Sequence, residues 1–307
     1  LLVFSKPEVQ KLLGEQFIPV AANDWYQRRR QDAEGHFFRS VAAQGPRRTE
    51  GGTRQGHYVF TAGGKLLGYN NNRDPKKRLA MMRDALKKWE ALPDSKKTAT
   101  IPDRGKQDTK YAREFPKGGT VVKVHSRALE GKDGQLKAAV IGGNTPLAAV
   151  DFLWLKKEEV AALHALSMSG GYFPDRLAER IARFHLNDSI RGEPRPWKRS
   201  EVQNCTLTLT PSGEVTGTIL IKSRDEKMGY EGALSGTISF DKNGNLQSFN
   251  FLVLGLHFGE GQFTRGARPG DSPLGHVFSL TSATKPEDQI PPQGMHWEQG
   301  YWEAEKH

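Results

Sequence analysis

The spacing of apolar residues changes along this chain, from mixed strand and helix periods before residue 93 to a sustained two-residue alternation after residue 200. Leu1-Leu2-Val3-Phe4 predicts a short buried strand. Ser5-Lys6-Pro7-Glu8 has capping-box spacing and opens a helix to about Gln16, with Val9, Leu12 and Leu13 turned inward. Phe17-Ile18-Pro19-Val20-Ala21 predicts a second strand, its proline at a position that needs no N–H. Asp24 opens a helical stretch with Trp25, Phe37, Phe38 and Val41 on its apolar side, Arg28-Arg29-Arg30 at its solvated start and an interruption at Gly35.

Two further apolar runs, around Tyr58-Val59-Phe60 and Leu66-Leu67, flank Ala62-Gly63-Gly64. Glycine takes positive φ freely, so the pair predicts a tight hairpin. A helix follows, capped by Asp74, with Pro75 at its first position and Leu79, Met82, Leu86 and Trp89 on one face. Lys76, Lys77, Arg83 and Lys87 fall mostly elsewhere on that helix.

The order strand, helix, strand, helix, strand, strand, helix resembles the thioredoxin-like superfamily, and the run 56–89 resembles that superfamily's hairpin-and-helix ending. The chain is also similar to uncharacterised bacterial proteins that join such a domain to a β-rich one. The resemblance covers residues 1–92 and implies a βαβαββα domain and an extracytoplasmic setting, periplasmic or secreted. The redox site that the superfamily carries is missing. Ser5 and Glu8 occupy the spacing of its two cysteines, and Thr53-Arg54-Gln55-Gly56 stands where its cis-proline precedes the third strand. The implied domain is therefore redox-inactive. The chain opens on Leu1 with no basic region or cleavage site before it, the expectation for a removed leader or a trimmed start.

Residues 93–119, rich in Lys, Asp, Pro and Thr, predict an exposed linker. Residues 120–307 predict an α+β domain. Residues 120–125 and 136–141 make a hairpin about Gly131-Lys132-Asp133-Gly134, residues 151–155 are apolar, and residues 156–166 have helical spacing. A longer helix runs on from Pro174, with Leu177, Ile181 and Phe184 on one side and Arg176, Glu179, Arg180 and Arg183 around the other. From Thr206 the alternation and the Gly-rich turns predict an antiparallel meander, either a curved sheet or a small barrel. Residues 249–256 are apolar at nearly every position and predict a central strand buried on both faces. Residues 275–280 are the last strand candidate, and Trp297 and Trp302 can pin the polar tail. No internal repeat is visible.

Composition narrows the chemistry. Of 307 residues, 36% are apolar and 26% charged, and no apolar run reaches the ~18–20 residues of a membrane helix. The lone cysteine, Cys205, excludes an intramolecular disulfide and sits in a strand-like context as a small core residue. No HExxH, zinc spacing, P-loop or G-x-S-x-G occurs, so no metal or cofactor is implied. The net charge of +10 admits anionic partners, including nucleic acid. The basic residues lie along the whole chain beside 35 acids, which favours a solvated basic surface over a dedicated nucleic-acid face.

The densest polar cluster, residues 255–271, follows the most buried strand. His257 with Glu260 can bind a metal or act as an acid–base pair, and Arg265 with Arg268 can clamp a carboxylate or phosphate. Two arginines against one carboxylate favour an anion over a bare cation. A second cluster, His185, Asp188, Arg191 and Glu193, ends a helix and can face the first across a domain cleft. Structural alternatives weigh against both: a hydrogen-bonded β-loop for the first, and a histidine favoured by the helix dipole for the second. Three functions remain: a binding or scaffold protein with a protein or anionic partner, an enzyme sited near His257 and Glu260, and a basic anionic-polymer binder.

Overall fold

The structure is a computed structural model that describes every residue except 1–3, 5, 49–51, 73, 101–102, 104, 112, 132–134, 142–144, 286–287, 297 and 304–307. It divides into two units, Leu1–Ala112 and Arg113–His307. The division falls inside the segment 93–119.

The first unit is helical around one hairpin. Helix α1 (Pro7–Gln16) has its proline at the first turn, where a missing N–H costs nothing, and buries Val9 against Leu79. The capping Ser5 and the strand expected at 1–4 lie, Phe4 apart, outside the described residues. Residues 17–21 are not a strand. They run as irregular chain with Ile18 93% exposed: Pro19 removes a ladder donor, and no strand among the described residues pairs with them.

The helical stretch from Asp24 breaks into α2 (Asp24–Gln27) and α3 (Ala33–Ala43). The break is not at Gly35 but at Asp32, whose carboxylate caps α3 by accepting from the Gly35 N–H at 3.1 Å. Gly35 is required where it stands, since a Cβ there would meet the Arg30 carbonyl oxygen at 2.1 Å.

Strands β1 (His57–Phe60) and β2 (Leu66–Asn70) pair antiparallel, Tyr58 opposite Tyr69, around a turn with Gly64 at φ +82°. Helix α4 (Pro75–Glu90) follows, its Lys76 N–H held by Asp74 at 2.8 Å and its Leu79 and Met82 buried. It lies so close to β2 that a Cβ on Gly68 would meet the Met81 sulfur at 2.7 Å. A short α5 (Asp94–Lys97) ends the regular structure. Among the described residues the unit is three helices, a two-stranded hairpin and two helices. This corrects the expected βαβαββα thioredoxin order.

The second unit is built on a nine-stranded antiparallel sheet. Strand β3 (Thr120–Glu130) is followed by short β4 (Lys137–Ala138), β5 (Val140–Ile141) and β6 (Thr145–Pro146), then by β7 (Ala148–Leu155). Helix α6 (Lys157–Ser169), β8 (Gly171–Tyr172) and α7 (Asp175–Arg180) lead to a π-helical turn, Ile181–His185. A single 3₁₀ turn at Arg199–Glu201 opens the meander: β9 (Val202–Leu209), β10 (Glu214–Lys222), β11 (Gly229–Phe240), β12 (Leu246–Phe258) and β13 (Ser272–Thr281). Helix α8 (Glu298–Trp302) is the last regular element among the described residues.

The sheet order is β4-β3-β13-β12-β11-β10-β9-β8, with β7 also on β3. Its two ends do not pair, so it is an open sheet and not a barrel. The main partner of β3 on the side away from β13 is β7; β4 reaches only Leu129 and Glu130.

One sheet face carries the core: Val122 and Val124, Phe278, Phe249, Phe251 and Val253, Leu234, Ile219 and Leu207, packed with Leu163, Leu177 and Ile181. Residues 249–256 are central but buried on one face only. Leu252, Leu254 and Leu256 stand exposed on the other, so continuous apolarity did not mean two covered faces. Arg180 and Arg183, expected on the solvated side of their helix, are buried.

Candidate functional site

Beneath the core face a chain of polar groups runs from β7 to the C-terminal tail. Asp151 alternates with Leu153 and Leu155 and so points inward with them. Its carboxylate accepts from the Gln293 N–H at 2.7 Å and meets His185 Nδ1 at 2.8 Å. The π turn that carries His185 is a rare geometry, found mostly where a helix is bent to a particular task. His185 Nε2 lies 2.9 Å from the Tyr301 hydroxyl, which also accepts from the Trp154 N–H at 3.3 Å.

Arg180 donates to both Glu159 oxygens, at 2.6 and 2.8 Å, and to the Trp154 carbonyl at 3.0 Å, with its guanidinium beside the Tyr301 and Trp302 rings. Burial pushes the Tyr301 phenol well up, against the attraction of Arg180. Both nitrogens of His185 are thus occupied and Asp151 is used twice. The chain fastens the tail to the sheet.

Deeper under the sheet, His276 Nδ1 is 2.8 Å from the Ser126 hydroxyl and its ring stands edge-on to Tyr230. Its Nε2 is buried without a partner among the described residues. Burial pulls this imidazole down to about 3, opposed by Asp188. Burial likewise pulls His257 down to about 4, opposed by Asp188 and reinforced by Arg191 and Arg268.

Of the residues singled out in the sequence, His185, Asp188, His257 and Arg268 therefore gather in one polar region. That region lies within the second unit and not across a domain cleft. Asp188 is held by Arg191 Nε at 2.6 Å, and Arg191 reaches the Thr264 and Gly259 carbonyls at 2.6 and 2.9 Å. Arg268 donates to the Leu129 and Pro273 carbonyls. Glu260 and Arg265 are in an exposed loop and pair with each other at 3.1 Å, while Glu260 also accepts the Gly266 and Ala267 N–H groups. Those N–H groups and Arg265 lower the Glu260 carboxyl. Glu193 is exposed.

Sequence reasoning did not find Asp151, Tyr301, Ser126 or His276. A signal was present for two of them: Asp151 and His276 are polar residues on the inward phase of an apolar strand.

Space is the next limit. The cavity bordered by Asp151, His185, Asn187 and Gln293 measures ≈ 10 Å³, room for about one water. A wider depression of ≈ 460 Å³ lies among Arg195, Lys198, Glu201, Ser223, Arg224 and Asp225. There Arg195 is committed to Glu201 through two 2.6 Å bonds, and Ser223 holds Asp225 at 2.8 Å. Cys205 donates its S–H to the Ala178 carbonyl, and burial pushes its thiol up to about 12, the opposite of a nucleophile. Among the described residues no three His, Cys, Asp or Glu are placed to hold a metal ion.

Charge separates the two units. Residues 1–112 hold 22 Lys and Arg against 12 Asp and Glu; residues 113–307 hold 23 of each. The whole surplus of ten is in the first unit and not spread along the chain. Several of its arginines are spent internally. Arg30 is bound to Asp32 and Glu34, Arg39 and Arg54 donate to backbone carbonyls, and Arg78 donates to the Asn72 carbonyl and contacts His57. Lys76, Lys77, Arg83 and Lys87 on α4 remain exposed, with no partner for their side chains among the described residues.

No family model matches this chain, and no curated protein or solved structure is significantly similar to it.

Proposed function

We propose that this is a binding protein whose N-terminal unit meets an anionic partner, and that its β-rich unit is a rigid support without catalytic machinery. The observation that carries the reading is the division of charge, with the entire surplus in residues 1–112. A field of one sign raises the local concentration of an oppositely charged partner and speeds encounter. The β-rich unit supports the second half of the reading. The ionisable groups of its polar region are largely held by carbonyls, backbone N–H groups or one another, and the cavity beside His185 is water-sized. With Cys205 the lone cysteine and half-buried, dithiol exchange has no second thiol.

The test is equilibrium binding of the full chain to heparin, a polyanion, at increasing salt. Binding with log K falling linearly in log salt is expected. No binding at about 50 mM salt, the low end of the range over which such contacts are measured, would overturn the reading.

A further inference from the structure

We propose that the exposed face of α4 is a docking surface for the phosphate backbone of nucleic acid. The inference rests on the anionic-partner reading and gives it a place and a chemistry. Lys76, Arg83 and Lys87 stand at i, i+7 and i+11, within about 40° of one another around the helix axis. They form a line about 16 Å long at 1.5 Å per residue. Lys77 stands one residue round from it. Its neighbour Lys88 is already committed, donating to the Leu67 carbonyl at 2.9 Å. The four cations thus differ from the internal arginines of the same unit in making no side-chain hydrogen bond or ion pair among the described residues.

The partner is a nucleic acid backbone and not a lipid surface, because an interfacial helix needs an apolar face to bury. The apolar face of α4 is consumed inside the unit by Leu79, Met82 and Ala85, and the only apolar residue on the exposed face is Ala80. A straight row of cations with no insertion residue fits a polymer of regularly repeated negative charge. The same face has no Asn, Gln or aromatic side chain to read base edges or stack on bases. Binding is therefore indifferent to sequence. Asp84 lies between the row and Lys77, and Glu90 stands beside the row's Arg83–Lys87 end; both limit its strength.

The experiment uses the full chain, a fluorescein-labelled random-sequence 20-base-pair DNA duplex and anisotropy between 50 and 200 mM NaCl. Four phosphate contacts give a slope of log K on log salt near −3.6, about a 150-fold loss of affinity over that range. In Lys76→Gln/Lys77→Gln/Arg83→Gln/Lys87→Gln the slope should fall by about one per cation, to near zero. These substitutions sit on an exposed helix face and exchange residues of similar helix propensity, so the fold should persist, as circular dichroism would show.

The control Lys117→Gln/Lys157→Gln/Lys227→Gln/Lys242→Gln removes as many exposed cations from the neutral unit and should bind as the parent does. An α4 variant with the parental slope would overturn the docking surface while leaving the anionic-partner reading intact. So would a parent that binds heparin but not the duplex. A parent that binds neither would end both. Tighter capture by phosphatidylserine vesicles than by the duplex, abolished in the α4 variant, would overturn the choice of nucleic acid.

Discussion

Glu159 is the point at which the second unit should be most sensitive to loss of one carboxylate. The Arg180 side chain is 3% exposed and its charge is balanced by Glu159, 17% exposed, through two short bonds. Removing one partner of a buried pair strands the other charge and costs about 3–5 kcal/mol, with the lower figure apt here because Glu159 keeps some contact with water. Glu159 also accepts the Lys156 N–H at the start of α6, a cap whose loss adds on the order of 1 kcal/mol. Glu159→Ala should therefore lose about 3–4 kcal/mol, a fall of roughly 6–16 °C in Tm for a unit of this length.

The assay is urea and thermal unfolding followed by near-ultraviolet circular dichroism, which reports Trp154, Tyr301 and Trp302 around the pair. Arg180 Nε is buried without a partner among the described residues, so the intact pair is itself incompletely satisfied. Glu159→Ala/Arg180→Met should on that account recover much of the loss. A single variant within about 0.5 kcal/mol of the parent, the range of ordinary surface substitutions, would refute the reasoning. So would a double variant no more stable than the single.

Other expectations follow from the same unit. Tyr301→Phe leaves His185 Nε2 without its partner and should cost about 1–3 kcal/mol in urea unfolding, with an unchanged midpoint as the contrary result. His257 and His276 titrate below the unfolded value near 6.5, so the unfolded chain binds more protons as pH falls through that value. Their stability is full above pH 6.5 and is lost toward pH 4, by up to about 2 kcal/mol per histidine at pH 5; flat unfolding midpoints between pH 7 and pH 5 would contradict this. Cys205 should resist a thiol reagent in the native state at pH 8 and react once urea unfolds the chain, and no insulin reduction should be seen.

The legible parts of this fold are those where local chemistry agrees with tertiary environment. Asp74-Pro75 starts α4, Gly63-Gly64 turns the first hairpin, and the two-residue alternation from Thr206 marks the meander. Strand pairing was harder, because residues 17–21 have strand-like apolarity and no partner among the described residues to make it a strand. The covered face of 249–256 was hidden for a related reason: an unbroken apolar run does not reveal which phase faces the core.

The polar region was half visible. His185, Asp188 and His257 attract notice in their own loops and strands, but Asp151 and Tyr301 reach them from 34 and 116 residues away from His185. Nothing local marks such partners. The charge division, by contrast, is legible once the residues are counted by domain: residues 1–92 alone hold 17 Lys and Arg against 9 Asp and Glu.

Hydrogen exchange of the full chain with and without heparin tests most directly whether the N-terminal unit meets the anionic partner. Protection on binding should appear in residues 1–112, strongest in α4, with the backbone of β3 and β7 to β13 unchanged. Protection confined to the second unit, above all to residues 255–271 or the depression around Arg195 and Arg224, would contradict the account.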